Sequence, residues 1–155
     1  NTPLLLQILI VYFIIGRIFG IPRLWCGILT LAFYEATFAA EIIRGAIVSV
    51  ARGQWEASRA LGLGSYDTYR SIVLPQALPL MVPPMTSVMV NLVKHSSIVS
   101  VIAIFDLTNE GRTIAADTFM SFEVWLTVAA LYLCVTITMS LGADWLERRL
   151  APASR

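Results

Sequence analysis

The chain has 155 residues, 57% hydrophobic and 14% charged, and its mean hydropathy of +0.76 excludes an ordinary soluble domain and places it in a bilayer. A net charge of +1 gives no basic face of the kind nucleic acid requires. A single histidine and two distant cysteines, Cys26 and Cys134, exclude a multi-histidine or cysteine-paired metal site, and the cysteines read as small packing residues. The sole lysine, Lys94, follows Val93, so the chain has no Gly-Lys-Ser/Thr loop to hold ATP.

Hydrocarbon admits only helices and closed barrels, and the apolar residues come in long runs without period-two alternation, so the chain is predicted to be all-α. A bilayer core of about 30 Å needs about 20 helical residues. Four spans are expected. Leu4 to Phe19 is short before Arg17, and Trp25 to Val48 carries Glu35, Glu41 and Arg44. Met81 to Phe105 carries Lys94 and His95 near its middle, and Val124 to Ala143 has no charge. The opening Asn1-Thr2-Pro3 lacks the features of a signal peptide, and the first span begins almost at residue one. The chain therefore reads as a fragment whose earlier helices are missing.

Between the second and third spans runs a polar stretch from Ser49 to Leu80, with Arg52, Arg59 and Arg70 beside Glu56 and Asp67. The tail adds Arg148, Arg149 and Arg155. Two spans separate stretch from tail, so both fall on one side, and the excess of arginine makes that side the cytoplasm. Arg17, Arg23 and Arg112 are the weaker opposing set. Within the stretch, Gln54 to Leu63 is predicted helical, Gly62, Gly64 and Ser65 break it, and Asp67 to Leu74 forms a second short helix. Pro75 should end or bend that helix before the membrane.

On the second span Thr30, Tyr34, Thr37, Glu41 and Arg44 share a helical face, and Glu41 can pair with Arg44 three residues on. On the third, Ser87, Asn91, Lys94 and His95 share a face. Ionisable groups inside a bilayer cost about 2.5 to 3.5 kcal/mol on insertion scales and are functional candidates by default. Thr37, Glu41, Ser87, Asn91, Lys94 and His95 are the candidates for a translocation path, with helix-to-helix hydrogen bonding as the bland alternative; Glu35 falls off the stripe. An intramembrane serine protease would need Ser96 or Ser97 to act with His95, but adjacent helical residues point about 100° apart and no nucleophile-elbow turn is present.

Glu56-Ala57-Ser58 is followed after three residues by Gly62, then after nine more by Ile72-Val73-Leu74-Pro75. This resembles the EAA motif of ABC importer permeases, with Ser58 in place of alanine. Thr2-Pro3-Leu4-Leu5-Leu6-Gln7, Ala40-Glu41-Ile42-Ile43-Arg44-Gly45, Gly53-Gln54-Trp55-Glu56-Ala57 and Leu74-Pro75-Gln76-Ala77-Leu78 look like the polar amino acid subfamily, the histidine/glutamine/arginine type. The resemblance implies a type I importer permease fold over residues 1–155, with a cytoplasmic coupling loop at about 49–80. Glu56, Ala57, Ser58, Arg59, Leu61, Gly62, Ile72, Leu74 and Pro75 would dock to an ATPase. It also implies two ATPase subunits carrying ATP and magnesium, a second permease chain alike or related, and an extracytoplasmic amino-acid-binding protein. The chain would then be no enzyme and hold no cofactor, and would sit multi-pass in a bacterial inner membrane with its C-terminus in the cytoplasm. A channel or scaffold would explain the spans but not the motif. Lysine followed by an acidic residue is usual in the subfamily, and His95 departs from that.

Overall fold

A computed structural model describes residues 2–150, with side chains as far as residue 145. Among the described residues there is no strand, and six helices follow one another: α1 Leu4–Phe19, α2 Arg23–Val48, α3 Arg52–Ala60, α4 Ser65–Ile102, α5 Leu107–Thr118 and α6 Ser121–Leu150. Three of them contain a segment long and apolar enough to cross a membrane, at Arg23–Val48, Ser65–Ile102 and Ser121–Trp145; α1 is apolar but shorter. Arg155 lies outside the described residues, as do the side chains of Arg148 and Arg149.

The third span corrects the sequence reading. The separate short helix expected over 67–74 does not exist; α4 is continuous for 38 residues, through Pro75 and on to Ile102. A proline lacks the N–H that would bind the carbonyl four residues back, and its ring crowds that carbonyl. The helix absorbs this by widening into π register over Tyr69–Val73, immediately ahead of Leu74 and Pro75. Gln76 strengthens the same turn by donating its side-chain amide to the Ile72 carbonyl at 2.8 Å. Pro79, Pro83 and Pro84 also lie within the helix, and Thr86 donates its hydroxyl to the Pro83 carbonyl at 2.7 Å.

The chain divides into two compact units. The first combines Asn1–Ala36 with Met89–Met139, and Leu4, Ile8, Val99 and Ile102 form its buried cluster. In it, a Cβ on Gly111 would lie 2.6 Å from Val128 Cγ2, so the bare backbone lets α5 and α6 approach closely, the small-residue packing that lipid favours. Asp106 caps α5 by accepting the Asn109 N–H at 2.9 Å, and Tyr132 on α6 shares a hydrogen bond with Thr108 at 3.0 Å. Cys26 is buried and its carbonyl accepts from Thr30, which supports its packing role; Cys134 is exposed. The second unit combines Thr37–Val88 with Ser140–Arg155 around Ala46, Val50, Val73, Ala77 and Met81. Large apolar side chains lie on the outside of the spans, among them Phe33, Leu126, Leu133 and Ile137. A water-soluble fold would bury these; hydrocarbon is their matching solvent.

Candidate functional site

In the second unit, α3 and the first turns of α4 form a hairpin. Helix α3 ends in a hydrogen-bonded turn: the Gly62 N–H donates to the Arg59 carbonyl at 2.9 Å and the Leu63 N–H to the Ser58 carbonyl at 3.1 Å. This paired pattern is the Schellman motif, which needs its penultimate residue in the left-handed region, and Gly62 has φ of +72°. Glycine takes that conformation without the Cβ clash that other residues suffer. Trp55 meets Tyr69 edge to face, ring centroids 5.3 Å apart, and leans on the cluster around Val73 and Ala77. The hairpin is thus braced at its base.

Ser58 is fully buried, with its hydroxyl on the Trp55 carbonyl at 2.8 Å. It therefore packs inside this chain. Ala57 and Ala60 remain exposed, as do Glu56 and Arg59, and Leu61 stands 76% exposed at the tip. No hydrogen bond or ion pair engages the Glu56 carboxylate or the Arg59 guanidinium among the described residues. Ile72, Leu74 and Pro75 belong to the continuous helix, Ile72 half-buried and the other two exposed. Trp55, Ser58, Arg59, Leu63, Ser65, Thr68 and Tyr69 line a shallow cavity of about 230 Å³ at the hairpin's mouth.

Further along α2, Arg44 grips Glu41 with two nitrogens, Nε to Oε2 at 2.9 Å and Nη2 to Oε1, the pairing the three-residue spacing predicts. Both side chains are otherwise exposed, so Glu41 is neutralised locally. Thr37 and Ser87 are exposed on their helices.

The first unit holds the remaining polar groups. Asn91 and Lys94 are exposed on α4, and no partner holds the Lys94 ammonium among the described residues. His95 behaves differently: its Nδ1 lies 2.5 Å from Oε1 of Glu35 on α2, and its ring meets Tyr34 edge to face at 5.5 Å. Sequence reasoning left Glu35 without a role, because no periodicity links residues 60 positions apart. Ser96 and Ser97 give their hydroxyls to the carbonyls of Val93 and Lys94, each at 2.7 Å, so neither serves His95 as a nucleophile. No group of three potential metal ligands occurs among the described residues.

Long apolar helices with a braced polar hairpin between two of them, and single ionisable groups inside the spans, define a multi-pass membrane permease. Residues 1–152 match the family described as binding-protein-dependent transport system inner membrane component, and the chain belongs to that family. It is 38% identical to the probable glutamine ABC transporter permease protein GlnM of Bacillus subtilis (strain 168), the match covering 97% of this chain and 70% of that protein. It is 35% identical to the glutamine transport system permease protein GlnP of Escherichia coli (strain K12), with the same shares covered. Among solved structures, an amino acid ABC transporter crystallised with histidines superposes with a TM-score of 0.87 at 37% identity, over 96% of this chain and 70% of that one. The inward-facing MetNI methionine ABC transporter shares the fold, with a TM-score of 0.82 at 23% identity over 97% of this chain and 70% of its own.

Proposed function

We propose that the chain is the membrane subunit of an importer that carries a polar amino acid inward, driven by ATP hydrolysis on a separate subunit. The observation that carries this reading is the hairpin. Its backbone is fixed by the turn at Gly62, while the side chains of Glu56, Ala57, Arg59 and Leu61 are exposed, and those of Glu56 and Arg59 have no hydrogen-bond or ion-pair partner among the described residues. A rigid, unsatisfied tip of this kind suits a groove on another protein, the carboxylate meeting a basic group and Leu61 filling an apolar hole. Two such ATPases would hold ATP and magnesium, a second permease chain would complete the path, and an extracytoplasmic binding protein would deliver the substrate. The relatives named for glutamine and amino acids support the substrate class. Arg52, Arg59 and Arg70 favour the cytoplasm for the hairpin and, by parity of the spans, for the C-terminus.

Two experiments test the reading. Vesicles containing the chain with its ATPase and binding protein should accumulate a labelled polar amino acid only when ATP is supplied on the hairpin side. Replacing Cys26 and Cys134 and placing a cysteine by Ser65→Cys should give a thiol that an impermeant reagent reaches only after cells are opened. Labelling of intact cells would reverse the topology.

A further inference from the structure

Glu35 and His95 come together inside the first unit from two different spans. The Glu35 side chain is 10% exposed, and that of His95 is 33%. With Glu35 as the acceptor of this bond, the hydrogen between them sits on Nδ1. Tyr34 presses on the ring from the side. The imidazole is thereby fixed in direction, and Nε2 is its one polar atom without a partner among the described residues. In a neutral ring with hydrogen on Nδ1, Nε2 is a lone-pair acceptor.

Asn91, four residues before His95, and Lys94, one residue before it, lie on the same helix, and Lys94 has no ion-pair partner among the described residues. An ammonium and an amide can serve a carboxylate, but neither supplies the strong acceptor that the ammonium of a zwitterion needs once stripped of water. We propose that Glu35 is a positioning residue that holds His95 with Nδ1–H on its carboxylate, so that Nε2 accepts a hydrogen bond from the substrate's ammonium while Lys94 and Asn91 take its carboxylate. This rests on the amino-acid reading above and extends it to which atoms hold which end of the substrate.

His95 is the only histidine of the chain. With ¹⁵N-labelled histidine in the assembled importer, the difference between wild type and His95→Gln isolates one imidazole. The expected spectrum shows a protonated Nδ1 and a bare Nε2, and saturating L-glutamine, L-arginine or L-histidine shifts the Nε2 signal. Glu35→Gln should raise the KM for uptake about tenfold, as loss of a group that orients a ligand typically does, while Vmax and assembled yield stay at wild type. A bare Nδ1, an Nε2 signal untouched by all three amino acids, or a Glu35→Gln complex with reduced yield but unchanged KM overturns the proposal and leaves the pair a packing tie. Should that variant not assemble, the wild-type spectrum decides alone. Absence of ATP-dependent uptake of any polar amino acid by the wild type would refute the transport reading instead, whatever the spectrum shows.

Discussion

The hairpin over α3 and the start of α4 and the polar cluster of Glu35, Asn91, Lys94 and His95 are built on opposite plans. In the hairpin the turn closes through backbone bonds within six residues, and Glu56 and Arg59 have no side-chain hydrogen-bond or ion-pair partner among the described residues. In the cluster the decisive bond joins residues 60 positions apart and involves side chains alone, with Lys94 left without an ion-pair partner among the described residues. A docking surface keeps its shape through the main chain so that its side chains stay available. A polar site in hydrocarbon must spend some of its side chains on one another, because an unpaired charge there is expensive.

The comparison can be broken by changes that strike one plan and spare the other. Lys94→Met keeps length and apolar bulk but removes the charge; loss of a charge-assisted bond of about 1.5 to 3 kcal/mol predicts roughly a ten- to hundredfold fall in uptake, with assembly on the ATPase unchanged. Reduced assembly with normal uptake per complex would make Lys94 a packing group. Gly62→Val forces a β-branched residue into the left-handed region at a cost of about 1 to 3 kcal/mol. Uptake should drop about tenfold while the spans still insert and ATP hydrolysis continues, measured on the same vesicles. Trp55→Ala removes the edge contact with Tyr69, worth about 0.5 to 1.5 kcal/mol beyond its buried area, and should weaken ATPase co-purification several-fold. The smallest effect belongs to Glu41→Gln. Its partner Arg44 is equally exposed, and initial uptake rates should stay within about twofold of wild type. A larger loss there would place Glu41 on the path after all.

Local patterns were readable from sequence because they act locally. The spacing of Glu41 and Arg44 announced their pair, and the glycine after Glu56-Ala57-Ser58 announced the turn. Of the two outcomes expected at Pro75, an end or a bend, the helix does not end: proline breaks the ordinary helical ladder, but a single widened turn over Tyr69–Val73 restores continuity, and no residue type marks that turn in advance. The burial of Ser58 could not be read in advance, because a small residue fits an inner face as well as an outer one, and only the fold decides which. Glu35 was invisible as a partner because tertiary pairing leaves no trace in periodicity.

The sixty-residue gap between Glu35 and His95 also sets a timetable for synthesis. At about 5 to 20 residues per second, roughly 3 to 12 s pass between emergence of the carboxylate and emergence of its imidazole from the ribosome. A short hairpin closes in microseconds, so the Gly62 turn is complete long before that. Throughout the interval α2 must lodge in the membrane, or wait beside the insertion machinery, with Glu35 alone. Variants at His95 leave that interval unchanged and should first reveal themselves once residue 95 has emerged, as greater loss of newborn chains to quality-control proteases, before any transport is measured.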